Sequence, residues 1–344
     1  MQTIVVDDGG IQLAYIDSGV PPQAEHNYTT IFAIHGAAFA SPIFDKIIEV
    51  AGKNGVRIVA INRRDYPGST PLSASDTEAL LGSEEEKGTF LRARGRELAS
   101  FACKFAEENS IPLASPDGKA GGFAILGWSL GCALAHAAVS HHDTLPSASK
   151  HYVCRNLRGL ILLGPPTVAV GAPLPPRAWT PHIDTTMSAE DRDGFFAHWV
   201  TSYFQHGDLA ARDLDKLTYV VPSTVRVPSL YGMSAAQVAR MSHAPPAQTT
   251  DMLFMVGSTP VIHASYRRAC FDKALRAALP HMKVAVVMGD SDTALALSAY
   301  FAVQNDDDAL GGGFIRFKLL PKSNHFVQWD DPELSLQAVI ESMQ

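Results

Sequence analysis

The chain has 344 residues, 46% of them hydrophobic and 18% charged, with 28 Lys and Arg against 35 Asp and Glu for a net charge of −7. That balance supplies ample core and excludes intrinsic disorder, and a negative chain without a basic patch or aromatic-basic interleaving excludes nucleic-acid binding. No apolar run approaches the roughly 18 residues of a spanning helix, and the dispersed cysteines Cys103, Cys132, Cys154 and Cys270 form neither a zinc pattern nor a disulfide framework.

Reduced thiols in a cytoplasmic protein are therefore expected. Met1 to Asp8 has no basic n-region and only a short apolar run, so it does not read as a secretory signal. The sequon Asn27-Tyr28-Thr29 is accordingly read as chance. For one compact core the chain is long, which suits an α/β domain carrying a large insertion.

In chain order, Ile4-Val5-Val6 and residues 11–16, separated by Asp8-Gly9-Gly10, read as antiparallel strands around a glycine turn. Residues 29–34 are continuously apolar, as expected of a strand buried on both faces of a parallel sheet, and end in His35-Gly36-Ala37-Ala38. A helix over about 42–54, a strand over 56–61 and the loop Asn62-Arg63-Arg64-Asp65-Tyr66-Pro67-Gly68-Ser69 follow. Residues 83–108 show a helical pattern opened by the capping box Ser83-Glu84-Glu85-Glu86, and the glycine-rich stretch 115–122 ends it.

The apolar run Phe123-Ala124-Ile125-Leu126 leads into Gly127-Trp128-Ser129-Leu130-Gly131 and then the small-residue helical stretch Cys132 to Ala138. A serine on so sharp a strand-to-helix turn is presented away from the backbone, with glycines on either side leaving room for the neighbouring chain. The helix that follows aims free N–H groups at any charge developing beside Ser129. A strand over 157–163 stops at Gly164-Pro165-Pro166, and the strand-helix alternation implies a parallel sheet with helices on both faces.

From Thr167 to about Ser265 this rhythm fails. Paired prolines, clustered aromatics (Trp179, Phe195, Phe196, Trp199, Tyr203, Phe204) and methionines (Met233, Met241, Met252, Met255) read as an inserted, mainly helical cap. The division is thus 1–166 with 266–344 as the core and 167–265 as the cap. Alternation resumes with a helix through Phe271 and Leu279, a strand over 283–288, a helix near 294–302, a strand over 314–320 and a final helix over 332–343. The stretch Asn305-Asp306-Asp307-Asp308 and Gly311-Gly312-Gly313 reads as a solvated connection.

Acyl transfer by serine needs a base, an acid to orient it, and donors for the oxyanion. In a parallel sheet these belong on loops beyond the carboxyl ends of strands. Gly289-Asp290-Ser291-Asp292 follows one such strand and Lys322-Ser323-Asn324-His325-Phe326 follows the last, in the order Ser129, Asp292, His325.

With His35 to Ala38, Gly127 to Gly131, Gly289 to Asp292 and Asn324-His325-Phe326 at successive strand ends, the chain resembles the α/β-hydrolase superfamily in its cap-bearing branch. The resemblance covers about residues 1–340. It implies a mostly parallel eight-stranded sheet with helices on both faces, plus the inserted cap. It also implies Ser129, Asp292 and His325 as catalytic triad and the N–H groups of Ala37 and Leu130 as oxyanion hole. Asp292 fits the family's glycine-x-x-aspartate placement, with Asp290 the alternative acid. Residues 62–69 depart from the family's aspartate-x-arginine-glycine, which touches pocket shape rather than chemistry.

His35 is expected to hold its loop by hydrogen bonds, and His136, His141 and His142 to lie on helix surface rather than at a metal. Trp128 is read as packing that can also wall the pocket, and Ala38, Trp128, Trp179, Trp199 and Phe326 as pocket residues beneath an apolar cap. The expected activity is cleavage of an ester, thioester or lactone of a small, largely apolar substrate through an acyl-enzyme on Ser129. No cofactor or metal is expected, and the protein is expected to be a monomer or homodimer. The alternatives are C–C bond hydrolysis, hydroxynitrile cleavage, acyl transfer, peptide trimming, or a low-turnover ligand receptor. A peptidase would need cap carboxylates facing the serine. Glu190, Asp191 and Asp193 are instead expected to cap a helix beginning near Ser188.

Overall fold

A computed structural model describes residues 1–22 and 27–344, without the side chains of Ala189 and Asp193. The strands are β1 Gln2–Val5, β2 Gln12–Asp17, β3 Thr29–Ile34, β4 Val56–Ile61, β5 Phe123–Trp128, β6 Leu157–Leu163, β7 Lys283–Gly289 and β8 Arg316–Leu320. They form one eight-stranded sheet in the order β1-β2-β4-β3-β5-β6-β7-β8. Only β1 with β2 and β2 with β4 pair antiparallel; the remaining pairs are parallel.

The unalternating apolar runs explain this arrangement. On β3, Phe32 and Ile34 pack into one hydrophobic cluster while Ile31 and Ala33 pack into another across the sheet. A strand wetted on neither face needs side chains of one kind throughout.

The helices in chain order are α1 Asp45–Ala51, α2 Ala74–Leu81, α3 Glu84–Asn109, α4 Gly131–Ser140 and α5 Ser147–Asn156. Between β6 and β7 come α6 Thr167–Val170, α7 Ala189–Val200, α8 Ala235–Met241, α9 Ala244–Gln248, α10 Thr250–Gly257, α11 Thr259–Phe271 and α12 Lys273–Ala278. The chain ends with α13 Ala294–Ala309, α14 Val327–Asp330 and α15 Pro332–Ser342. Ser83 caps α3 with Glu86 as its reciprocal partner, as the box pattern requires. The expected helix over 42–54 is instead α1 flanked by two 3₁₀ turns, Ser41–Phe44 with Pro42 at its start and Gly52–Asn54 closed by left-handed Gly55. Helix α2, for which no expectation was stated, opens on a capping box formed by Ser73 and Asp76.

Two expectations are corrected by burial. Residues 305–308 are not a solvated loop but the last turn of α13, and the buried Asp307 carboxylate accepts hydrogen bonds from Gly313, Phe314 and Ile315 N–H. It satisfies the amides of the glycine turn that feeds β8. His136 is fully buried rather than on helix surface: Nε2 donates to the Ala169 carbonyl at 3.0 Å and Nδ1 meets Ser265 Oγ at 3.0 Å. His142 is buried as well, with its Nδ1 donating to the Val139 carbonyl. The burial of His136 follows from α4 being covered by α3 and α11, which leaves that helix no wet side, while His142 lies in the 3₁₀ turn His142–Thr144 just past it.

The boundary drawn at 265 falls inside α11, whose Ile262, Ser265 and Tyr266 are already buried. Ser188 caps α7 and accepts from Asp191 N–H, so Asp191 serves the helix start. The side chain of Asp193 lies outside the described residues. Among the described residues no helix is long and apolar enough to cross a membrane.

Burial pushes the His136 imidazole down to about 3. The unfolded chain, with its imidazole near the ordinary value of about 6.5, then binds a proton that the folded chain refuses between those limits. The stability that His136 contributes is complete above pH ~6.5 and is lost as pH falls toward 3. Urea unfolding at a series of pH values should show this decline. In His136→Gln its slope between pH 6 and 4 should shrink by up to about 1.4 kcal/mol per pH unit; an unchanged slope would refute the assignment.

Candidate active site

Ser129 has a φ of +55°, a left-handed conformation that non-glycine residues seldom adopt. Its N–H donates to the Leu163 carbonyl at 3.0 Å and its carbonyl accepts from Cys132 N–H at 3.0 Å, so both neighbouring elements hold the turn. Crowding explains the glycines. A Cβ on Gly131 would lie 2.3 Å from the Ile34 carbonyl oxygen, and one on Gly36 would lie 2.6 Å from Ser129 Cβ.

His325 follows β8, and its Nδ1 stands 3.0 Å from both carboxylate oxygens of Asp292. Facing a carboxylate, Nδ1 carries the ring proton, which leaves Nε2 as an acceptor. Asp292 is 1% exposed, and its Oδ1 also accepts from Thr293 N–H at 2.5 Å. Asp290 is engaged elsewhere: its carboxylate accepts from the hydroxyl of Ser291. The geometry therefore pairs His325 with Asp292, of the two carboxylates on this turn.

Several contacts around this pair are absent from any local sequence signal. Trp128 Nε1–H donates to the His325 carbonyl at 2.8 Å, so the ring braces the histidine's backbone as well as packing beside it. His206 Nε2–H donates to the Asp292 carbonyl at 2.7 Å while its Nδ1 accepts from Thr218 N–H at 3.0 Å. Burial lowers this imidazole below its ordinary range, which suits a neutral donor. Asn324 Nδ2 donates to the Thr201 carbonyl and Ser229 Oγ, both at 2.8 Å. His206, Thr201 and Ser229 all belong to the segment inserted between β6 and β7.

The loop after β3 is held as closely. His35 is buried, accepts from Arg63 N–H at its Nε2 and donates from Nδ1 to the Gly36 carbonyl, in the bonding role expected for it. Ala40 N–H donates to the Met241 carbonyl and His243 N–H to the Ala38 carbonyl, both at 2.7 Å. Ala38 N–H donates to Tyr66 Oη at 3.0 Å. Among the described residues, the N–H groups of Ala37 and Leu130 donate to no acceptor. Both residues line the cavity into which Ser129 and His325 open.

That cavity holds about 190 Å³. Its walls include Phe39, Trp128, Phe196, Trp199, Met252, Met255 and Leu295, and among the described residues no Asp, Glu, Lys or Arg lines it. Leu174, Ile183 and Val256 line it while remaining 56%, 57% and 75% exposed, which marks an apolar mouth. Of the expected pocket residues, Trp128 and Trp199 are in the wall. The other three are not among its lining residues. Phe326 is fully buried beneath Phe39 and Trp128. Trp179 packs behind Trp199 with its Nε1 donating to Asp184. Ala38 spends its backbone on Tyr66 and His243.

The sequence matches the profile of the alpha/beta hydrolase family over residues 31–338, and the chain belongs to that family. In fold it is similar to a bromoperoxidase from Bacillus anthracis, at a TM-score of 0.53 and 14% identity, covering 99% of each chain. It is likewise similar to a thioesterase domain from the curacin biosynthetic pathway, at 0.53 and 15%, with 99% of each chain covered. A third neighbour is epoxide hydrolase A from Mycobacterium thermoresistibile, at 0.52 and 13%, covering 99% of this chain and 96% of that one. No curated protein matches the sequence.

Trp128→Phe keeps an aromatic ring but removes the donor to the His325 carbonyl. It should lower stability by about 1–2 kcal/mol in denaturant unfolding and slow labelling of Ser129 by a fluorophosphonate several-fold. Unaltered labelling would show that the indole N–H does not position the histidine.

Proposed function

We propose that the protein is a serine hydrolase that cleaves an ester, thioester or lactone bond of a small, largely apolar substrate. The observation that carries this reading is the hydrogen-bonded Asp292–His325 pair opening into the same apolar cavity as a serine held on a left-handed turn. The fold alone selects no chemistry, since the names of its neighbours span peroxidase, thioesterase and epoxide hydrolase.

In the proposed reaction, His325 Nε2 takes the Ser129 hydroxyl proton as Oγ attacks the substrate carbonyl carbon. The carbonyl π electrons move to oxygen, where the N–H groups of Ala37 and Leu130 hold the negative charge. Asp292 stabilises the imidazolium, which then returns its proton to the leaving group as the tetrahedral intermediate collapses to an acyl-enzyme. Water, deprotonated by His325, repeats the sequence and releases the acid and free Ser129.

The uncharged wall supports a neutral acyl group. A peptidase that anchors a free amino terminus would want a carboxylate here, and among the described residues none lines the cavity. Burial of apolar substrate surface contributes roughly 0.8 kcal/mol per methylene, so chain length should tell in kcat/KM until the cavity is filled.

A panel of p-nitrophenyl esters from acetyl to dodecanoyl, with lactones beside them, tests the reading. kcat/KM should rise with chain length to a maximum at medium chains, and Ser129→Ala should lower kcat by a factor on the order of 10⁵–10⁶ and abolish fluorophosphonate labelling. A maximum at acetyl would overturn the apolar-substrate reading. Binding of an ester analogue without turnover or labelling would instead identify a receptor.

A further inference from the structure

The peptide group between Gly36 and Ala37 has an unusual set of partners. Its carbonyl oxygen accepts two hydrogen bonds, from His35 Nδ1 at 2.9 Å and from Arg63 Nη2 at 2.9 Å. A trans peptide is planar, with C=O and N–H pointing in opposite directions. Whatever fixes the Gly36 carbonyl therefore fixes the direction of the Ala37 N–H, which no described residue accepts.

Arg63 is itself held through both terminal nitrogens, while its buried Nε has no hydrogen-bond partner among the described residues. Nη1 and Nη2 donate to the two oxygens of Asp251, both at 2.8 Å. Tyr66 Oη donates to Asp251 Oδ2 at 2.7 Å and accepts from Ala38 N–H at 3.0 Å, while its ring lies 4.7 Å from the guanidinium carbon. The side chains of Arg63 and Asp251 are 7% and 5% exposed. Asp251 comes from α10 and the other groups from the loops after β3 and β4, so the cluster joins the inserted segment to the Gly36–Ala37 peptide.

A clamp between α10 and these loops needs no charge. Apolar side chains would serve, without the desolvation that a buried ion pair incurs. A cation on a peptide carbonyl does something that apolar packing does not: it polarises the amide, making the N–H at its far end a stronger donor in a low-dielectric site.

We infer that Arg63, held by Asp251 and Tyr66, is a positioning residue that aims and polarises the Ala37 N–H toward the oxyanion formed at Ser129. The inference rests on the hydrolytic reading above. It makes the oxyanion donor dependent on a carboxylate carried by the inserted segment. The loop Asn62 to Ser69, where the chain departs from its family's usual pattern, is then the seat of this device.

The test compares the parent with Arg63→Met/Asp251→Leu, which removes both charges and leaves neither buried alone, with Arg63→Lys, and with Tyr66→Phe. Each is assayed on one p-nitrophenyl ester and by inhibition with an alkylboronic acid, whose tetrahedral adduct on Ser129 mimics the oxyanion. Removing a whole oxyanion donor typically lowers kcat by about 10²–10³. Misaiming one should lower kcat ten- to a hundredfold in the double variant, weaken the boronate by a similar factor, and leave KM within about threefold. Arg63→Lys should recover part of the loss.

A folded double variant with kcat within twofold of the parent, or with its loss confined to KM, overturns the inference while the hydrolytic reading stands. If the double variant does not fold, Tyr66→Phe decides: a threefold or greater fall in kcat at constant KM supports the inference, and unchanged kcat refutes it. A parent that neither hydrolyses any ester nor reacts with a fluorophosphonate fails the underlying reading instead.

Discussion

The site depends on how closely two neighbouring strand ends approach. β3 and β5 pair in parallel register, so the loop after Ile34 and the turn after Trp128 emerge side by side. There is room for both only because Gly36 offers no Cβ to Ser129 and Gly131 none to the Ile34 carbonyl. The left-handed conformation of Ser129 is strained in isolation and persists because its N–H and carbonyl are bonded to elements on either side. This approach brings the unpaired N–H groups of Ala37 and Leu130 to one cavity wall with the serine.

A second set of contacts ties that rim to the segment between β6 and β7. His206 bonds to the backbone of Asp292, Thr201 and Ser229 to Asn324, and Met241 and His243 to the loop after β3. The loops after β3, β7 and β8 therefore each carry at least one polar bond to the inserted segment. Bonds of this kind contribute modestly when made and cost more when a partner is lost, because the remaining group has no water to turn to.

Between the rim and the inserted segment lies a cavity whose polar side chains are Ser129, Thr293 and His325 near the strand ends and Thr180 and His182 on that segment. Among the described residues the wall carries no Asp, Glu, Lys or Arg, and the charged groups nearest it are the Asp292–His325 pair and the buried Arg63–Asp251 cluster behind the Gly36–Ala37 peptide.

Much of this was legible in the sequence, for reasons of range. Strands buried on both faces must be continuously apolar, capping boxes act over three residues, and a serine elbow is a five-residue pattern, so eight strands, the α3 start and the order Ser129, Asp292, His325 could be read locally. What depended on partners distant in the chain could not. Asp307 reads as one of a run of acids until three amides of the β8 approach converge on it, and His136 reads as helix surface until α11 and α6 cover it. Phe326 and Trp179 look like pocket aromatics, yet Phe39 and Trp199 stand in front of them. Asp290 and Asp292 share one turn; the family's spacing favours Asp292, and the direction of the side chains is what pairs it with His325. Local chemistry and spacing thus specified which elements and reactive groups exist. Tertiary packing decided which of them face one another, because burial and hydrogen-bond satisfaction belong to a three-dimensional neighbourhood that no stretch of the chain contains by itself.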